Sequence, residues 1–509
     1  MIFTAKTHVS TLDAGACCSP LSAYEALSAR SGGGGAVLME SAAKGSRDGT
    51  RSLVVPEGVV RLTVRDGRAT YRALSPRGAR LLPALSTVER VPGGAGEPSV
   101  PDRERLIAPS VFDAVRRLVR LVVDDESGAV PSPGVYGAFS FELVDQWESL
   151  PPRRPDPWNE PDINVVLALD SILYDHLAGK VHVVTRSLDR SEEVKARARH
   201  QRFVDTLERT FSPKCVPVSS AGDKVAEPDA DTDDDEYLAS VRKLLRDIEA
   251  GDVFQAVLSR GIMMRSDAHP LDVYRVLRER NPSPYMFLVD LGDGALLGAS
   301  PETAVKVEAG RLEIRPIAGT ARRGLRDDGT IDEELDARLA VGLLLDPKEQ
   351  AEHAMLVDLA RNDVARVSVP GTRRLIEPFT VEKYSHVQHL VSVVIGQMSP
   401  ELDSLHAYRA VANMGTLTGA PKLRAMELIR ETEPFSRGFY GGAVGYLLQD
   451  GTFDTCIVIR SLRYHPEGLY HTRAGAGIVA DSVPELELQE TVDKARACRQ
   501  AVAMAEALT

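Results

Sequence analysis

The feature that most constrains this chain is a succession of strand-like and helix-like runs that never settles into a regular β–α alternation. From about Asp233 onward, residues 253–259, 286–291, 312–317, 442–448 and 455–460 are short and rich in apolar side chains, as strands are. Between them, residues 335–345, 348–361, 405–414, 422–432 and 486–505 carry apolar side chains at helical spacing. A doubly wound parallel fold needs a helix after nearly every strand. The pattern instead predicts an α+β protein of layered antiparallel sheets. At 509 residues the chain can bury a large core.

The first third mixes the same ingredients. Residues 36–39 follow a glycine run as a short strand. Residues 52–55 and 59–64 flank residues 56–58 as an expected hairpin. Residues 111–123 have helical spacing, whereas 135–141, 165–169 and 181–185 are strand-like. Residues 191–211 form a charged helix. Residues 212–235 contain Pro213, Pro217 and Pro228 and lead into the acidic run 229–236. That composition suits a solvated linker, and equally a long surface loop. On the linker reading the chain divides into regions 1–225 and 233–505, with Asp233 or Asp234 capping a helix that runs to Ala250 and stops at Gly251. No internal repeat is visible in the sequence.

A net charge of −12 leaves no broad basic face for nucleic acid, and it disfavours an anionic membrane surface. No apolar run approaches the ~20 residues that span a bilayer. The opening stretch lacks the apolar core of a signal peptide. The five cysteines, Cys17, Cys18, Cys215, Cys456 and Cys498, contain no C-x-x-C pair, so neither a disulfide framework nor a zinc site is expected. These features point to the cytoplasm.

Two predicted helices carry glutamates three residues apart: Glu349 and Glu352 in one, Glu487 and Glu490 in the other. Such pairs share a helix face. Opposed across a cleft, they would offer the oxygen-only donors that Mg²⁺ prefers; the same spacing also occurs on solvated helix faces. Small residues recur in two places, AGAG at 474–477 and GTLTGAPK at 415–422, where backbone N–H groups can approach an anion or simply form tight turns. Neither is a P-loop or a dinucleotide fingerprint. Arg460 closes an expected strand, CIVIR, from which it can fork onto a carboxylate. Lys494 lies four residues after Glu490, as in an ordinary helix ion pair. His389 stands among apolar neighbours, the usual setting of a structural histidine. Glu302 follows a strand exit, placed either to give a proton or to cap the next segment.

Together these segments resemble the chorismate-utilising enzymes, in the branch of anthranilate synthase large subunits. The resemblance covers nearly the whole chain and is densest from Gly251 to Ala497. It is carried by GDVFQAVLSR, NPSPYMF, LLGASPE, RPIAGT, EHAMLVDLARND, YSHVQHLVS, NMGTLTGAPKLRAMELI, GGAVGY, DTCIVIRS and AGAGIVADS, with LMESA and RSLVV nearer the N-terminus. It implies a layered α/β/β/α sandwich. It implies Mg²⁺ on Glu352 and Glu490, supported by Glu349 and Glu487, and Glu302 as the acid that protonates the departing C4 hydroxyl. Gly319, Tyr446, Arg460, Gly475, Gly477 and Lys494 match substrate-holding groups, Thr416 lies against the ring, and His389 matches the histidine linked to pyruvate elimination.

Four positions sort the branches of the family. Gln255 stands where the water-using isochorismate and salicylate synthases carry lysine, which implies ammonia as nucleophile. Ala318 replaces the lysine typical of aminodeoxychorismate synthases. Thr416 is typical of ammonia users, and His389 favours completion of the lyase step. The stretch 256–261 and Gln388 depart from the common pattern. The expected activity is formation of anthranilate and pyruvate from chorismate and ammonia, for tryptophan or another anthranilate-derived product. The alternatives are an aminodeoxyisochorismate synthase and, in another class, a non-catalytic tryptophan-binding regulator. Ser41, Glu40, Pro284, Tyr285 and Met286 match the family's tryptophan feedback site. No G-x-C-x-G glutaminase segment is present, so a separate glutamine amidotransferase subunit is the expected ammonia donor in a hetero-oligomer.

Overall fold

A computed structural model describes residues 2–28, 34–41, 50–85, 88–90, 101–125, 131–209, 229–326, 328, 330–384 and 387–507. Most of the expected linker lies outside these residues. Two sheets, of 13 and 12 strands, stack face to face. Every strand pairing is antiparallel except that of Phe3–Asp13 with Val122–Asp124. The α+β layered sandwich expected from the sequence is the fold observed.

Strand alternation builds the layers, because successive side chains point to opposite faces. In Arg51–Val55, Leu53 and Val55 enter the core between the sheets, while Val54 faces the helices. In Gly134–Phe139, Tyr136 and Ala138 point between the sheets, and Val135 and Phe139 point outward. Among the described residues the three largest of five apolar clusters follow from this. One lies between the sheets. One joins the 13-stranded sheet to helices Pro20–Ser28, Glu193–Leu207, Pro270–Arg280 and Pro484–Glu506. The third joins the 12-stranded sheet to Phe112–Val119, Pro347–Val367 and Ser404–Val411.

The topology repeats even though the sequence does not. Outward from the middle of the 13-stranded sheet, one side runs Val37–Glu40, Arg51–Val55, Ser171–Asp175, Lys180–Ser187 and Phe3–Asp13. The other side runs Tyr285–Asp290, Ala295–Ser300, Ser461–His465, Leu469–Ile478 and Gln255–Arg265. The 12-stranded sheet mirrors itself in the same way about Gly134–Phe139 and Ala443–Leu448. Each half therefore crosses between the sheets at two adjacent corners. These are residues 56–59 and 169–170 in the N-terminal half, and 301–302 and 458–460 in the C-terminal half.

This corrects several local expectations. Residues 56–58 are not a hairpin: Arg51–Val55 and Val60–Arg65 belong to different sheets, and the turn is a corner. The helix expected over 111–123 ends at Val119, and the chain then enters a strand at Val122. CIVIR is not one strand: Phe453–Ile457 stops early, and Arg460 turns the chain into the other sheet at φ +50°. AGAG is no turn but part of strand Leu469–Ile478. The helix Lys422–Thr432 is as expected, and Asp233 caps Asp234–Glu249 by accepting from Glu236 N.

Candidate active site

The two C-terminal corners lie side by side. Ile457 N donates to Glu302 O at 3.0 Å, and Ala299 N donates to Arg460 O at 3.1 Å. Glu302 and Arg460 are thus fixed by backbone hydrogen bonds between the places where their strands change sheets. Glu302 is buried, and among the described residues its carboxyl group has one hydrogen-bond partner, Thr416, whose hydroxyl reaches Oε1 at 2.9 Å. Burial pushes the Glu302 carboxyl up to about 8, against the partial relief from Thr416, Lys494 and Arg460. At neutral pH it is a protonated acid.

Arg460 forms no ion pair among the described residues, and burial pushes its guanidinium below its ordinary range. A half-buried cation without a carboxylate is partly desolvated and favours the arrival of an anion. His389, on strand Val387–Gln397, holds its Nδ1 3.1 Å from the Gly319 carbonyl and 3.0 Å from the Thr320 hydroxyl. A carbonyl only accepts, so Nδ1 carries the proton and Nε2 keeps its lone pair. Burial, aided by Arg460, lowers the His389 pKa, leaving the ring neutral at pH 7.

The glycines serve close approach. Gly319 adopts φ +62° within an irregular strand pairing, and a Cβ there would lie 2.6 Å from Glu349 Oε2. A Cβ at Gly477 would lie 2.8 Å from Gln255 Nε2. Gln255 is buried, and its Oε1 has no hydrogen-bond partner among the described residues. Lys494 Nζ contacts Glu490 Oε1 at 2.5 Å and the Gly475 carbonyl at 2.9 Å.

The paired glutamates come from Pro347–Val367 and Pro484–Glu506. Their faces converge: burial and then Glu349 raise the Glu352 pKa, with Glu490 adding to the effect. Burial likewise raises Glu349 and Glu487, each also repelled by Glu490. Among the described residues, no group of three or more His, Cys, Asp or Glu is placed to hold a metal ion by itself.

Tyr446 does not join this cluster. Alternation in Ala443–Leu448 sends it inward between the sheets, where its ring lies 6.0 Å from that of Tyr136. The tyrosine at the site is Tyr440, six residues earlier, with its hydroxyl 3.0 Å from where a Gly475 Cβ would stand. Arg437 lies over its ring at 5.7 Å. Six residues apart, the two tyrosines would share a face of one continuous strand; they part because Tyr440 lies in the turn before the strand begins at Ala443.

A separate cavity lies between the sheets at the seam of the two halves. It measures about 330 Å³ and is lined by Met39, Glu40, Pro284, Tyr285, Met286 and Tyr446, among others. The Glu40 carboxylate is held by Tyr274 at 2.8 Å and by Arg278 at 3.0 Å, so only the rest of Glu40 is open to a ligand. Ser41 is not among the lining residues, though its hydroxyl is buried with no partner among the described residues.

Comparison with known proteins accords with this geometry. The chain is 42% identical over 486 residues to anthranilate synthase component 1 of Salmonella typhimurium, covering 92% of each chain. It is 46% identical over 376 residues to the protein of that name from Thermus thermophilus, covering 74% of this chain and 78% of the other. The crystal structure of anthranilate synthase component I from Streptococcus pneumoniae superposes with a TM-score of 0.71 at 29% identity, covering 89% of this chain and 93% of that one. The family model described as chorismate binding enzyme matches residues 95–500, and the chain belongs to that family.

Proposed function

We infer that the chain is the chorismate-converting component of an anthranilate synthase, forming anthranilate and pyruvate from chorismate and ammonia. The observation that carries this reading is the Glu302–Arg460 corner: a neutral acid beside a half-buried guanidinium that has no counter-ion among the described residues. Such a pair suits a dianionic substrate that must lose a hydroxyl. Arg460 anchors a carboxylate, and Glu302 gives its proton to the C4 hydroxyl, which leaves as water. Ammonia adds at C2, and the unpartnered Gln255 Oε1 can accept one of its N–H groups. A neutral amide does not activate water as a lysine base would. His389 Nε2 then takes the C2 proton, the enolpyruvyl arm departs as pyruvate, and the ring becomes aromatic. Tyr440, Gly475 and Gly477 line the space beside that arm, while Thr416 keeps Glu302 aimed.

Glu352 and Glu490 would hold Mg²⁺, supported by Glu349 and Glu487. The donor set fits, because it is oxygen-only and its repulsion across the two helices is what a divalent cation relieves. Mg²⁺ needs only one or two protein carboxylates when water and substrate complete its shell. When bound it supplies Lewis-acid polarisation and a template for the substrate carboxylate.

Ammonia comes from a partner amidotransferase component, and the inter-sheet cavity takes L-tryptophan as a feedback inhibitor. Its volume and apolar walls suit an indole amino acid.

Product analysis tests this reading. Purified chain with chorismate, Mg²⁺ and ammonium should yield fluorescent anthranilate, while glutamine should serve only when the partner is added. Accumulation of aminodeoxyisochorismate would place the endpoint one step earlier, and no conversion would reject the reading. Glu352→Ala and Glu490→Ala should each abolish Mg²⁺-dependent turnover; activity retained in either removes that residue from the metal site.

A further inference from the structure

Beside Tyr440 lies a buried guanidinium that the proposed chemistry does not use. The Arg437 side chain is 1% exposed. It forks onto Glu433, with Nε 2.9 Å from Oε2 and Nη2 2.5 Å from Oε1. Burial alone would raise the Glu433 pKa, but Arg437 and Arg473 hold it below its ordinary range, so the pair is ionised. The fork also reaches two main-chain carbonyls in other segments: Nη1 donates to Leu417 O and Nη2 to Val257 O, each at 2.7 Å. Its plane lies over the Phe141 ring at 4.7 Å and the Tyr440 ring at 5.7 Å. Nearly every N–H group of the guanidinium is therefore committed within the chain, so Arg437 holds protein rather than substrate.

Each contact fastens a segment that delivers a site residue. Leu417 follows Thr416, whose hydroxyl aims Glu302. Val257 lies two residues after Gln255, on the same face of strand Gln255–Arg265, and opposite Gly477 in register. Tyr440 N donates to Arg437 O at 3.2 Å. The counter-ion widens the clamp: Glu433 Oε1 accepts from Ser259 N and from Ser259 Oγ, both at 2.8 Å, and Ser259 stands opposite Gly475. One ion pair thus joins the Thr416 loop, the Gln255 strand and Tyr440, which are far apart in sequence.

We propose that Arg437, with Glu433 as its counter-ion, is a positioning residue that sets the spacing of the Thr416 loop, the Gln255 strand and Tyr440, and through Thr416 the aim of Glu302. The proposal rests on reading the Glu302 corner as the chorismate site. An ion pair that only stabilised the fold would have no need to bind carbonyls in two further segments. Lysine at this position keeps the charge, but a compact ammonium on a flexible stem does not span a carboxylate and two carbonyls in one plane. The Thr416 loop is then free to shift against Glu302, and a misplacement of about 1 Å can cost about 10²-fold in rate.

The test uses the full chain with chorismate, Mg²⁺ and ammonium, with rates referred to the folded fraction. Arg437→Lys should lower kcat by about 10–10²-fold. It should also move the basic limb of the pH profile upward by under about one unit, the direction expected when the Thr416 hydrogen bond to Glu302 is lost. Lys494 and Arg460, the other groups that lower the Glu302 pKa, are unchanged in this variant. In a Thr416→Val background that hydrogen bond is already gone, so adding Arg437→Lys should leave the limb where Thr416→Val put it. A limb that stays at the parent position in Arg437→Lys would mark a merely structural ion pair and overturn the proposal. So would a limb that moves as far again in the double variant, or a kcat within about twofold of the parent. Should Arg437→Lys fail to fold, Phe141→Leu removes the ring beneath the guanidinium and leaves every charge in place. It should move the limb the same way with a smaller loss of kcat, and an unmoved limb there overturns the proposal equally. A parent that converts no chorismate would overturn the reading of the site and the proposal with it.

Discussion

The two halves of the sandwich place charged residues at equivalent corners and treat them in opposite ways. In the N-terminal half, Asp170 is fully buried and saturated: Arg77 reaches it at 2.8 Å, Arg199 at 2.7 Å and the Arg186 amide at 2.9 Å. Arg77 also holds Glu57 at 2.5 Å. Burial alone would raise the Asp170 pKa, but Arg77 and Arg199 hold it well below the usual carboxylate range. In the C-terminal half, among the described residues, Glu302 has one hydroxyl for company and is pushed up, and Arg460 pairs with no carboxylate. The same architecture thus makes a closed structural joint on one side and a reactive site on the other. What separates them is whether the charges are satisfied from within the chain.

Four substitutions challenge that contrast. Glu302→Gln should have the largest effect, lowering kcat by about 10²–10⁴-fold. It should also abolish the basic limb of the pH profile, near 8, where the parent acid loses its proton. Its melting temperature should stay level or rise, because a neutral amide replaces a group whose ionisation burial opposes. A rate close to that of the parent would erase the functional side of the contrast.

Asp170→Asn should behave inversely, costing about 3–5 kcal/mol of stability by leaving buried arginines uncompensated, while kcat/KM of the folded fraction holds. Denaturant titration and kinetics on the same sample decide this. Because the Asp170 pKa is depressed on folding, the parent's advantage over this variant is full above about pH 4 and shrinks as acid protonates the carboxylate.

Arg460→Gln should raise KM for chorismate by at least about 30-fold, the price of one buried charge partner; an unchanged KM would mean that the corner cation binds nothing. Thr416→Val is the smallest. The Thr416 hydrogen bond lowers the Glu302 pKa, so its loss should move the basic limb upward by under about one unit. A downward shift would contradict the geometry.

Much of this was legible in the sequence, and the gaps have physical causes. Helices with strong spacing and breakers, such as Lys422–Thr432, read directly. Glu302, Thr416, His389, Arg460 and the glutamate pairs were named as a set by the family resemblance, because their spacing alone equally suits ordinary helix faces and turns; in the fold Thr416 bonds Glu302, and Arg460 and Lys494 lie close enough to lower its pKa. The corners were not legible, because a sheet change and a hairpin both need only a short turn with glycine or proline; residues 56–58 satisfy either. Nor was the inward turn of Tyr446, since it depends on one unit of strand register. The repeat was invisible because it lives in strand order, which sequence similarity need not preserve.

That strand order has a practical consequence. The strand Tyr285–Asp290 pairs with Val37–Glu40, and Ala443–Leu448 pairs with Gly134–Phe139. A fragment beginning near residue 233 would carry nearly all the chemistry yet present two long, apolar, unpaired sheet edges to solvent, the situation that seeds aggregation. The reactive half is therefore not a portable module: trimming, grafting or recombining this enzyme has to respect a seam that runs through both sheets rather than a point along the chain.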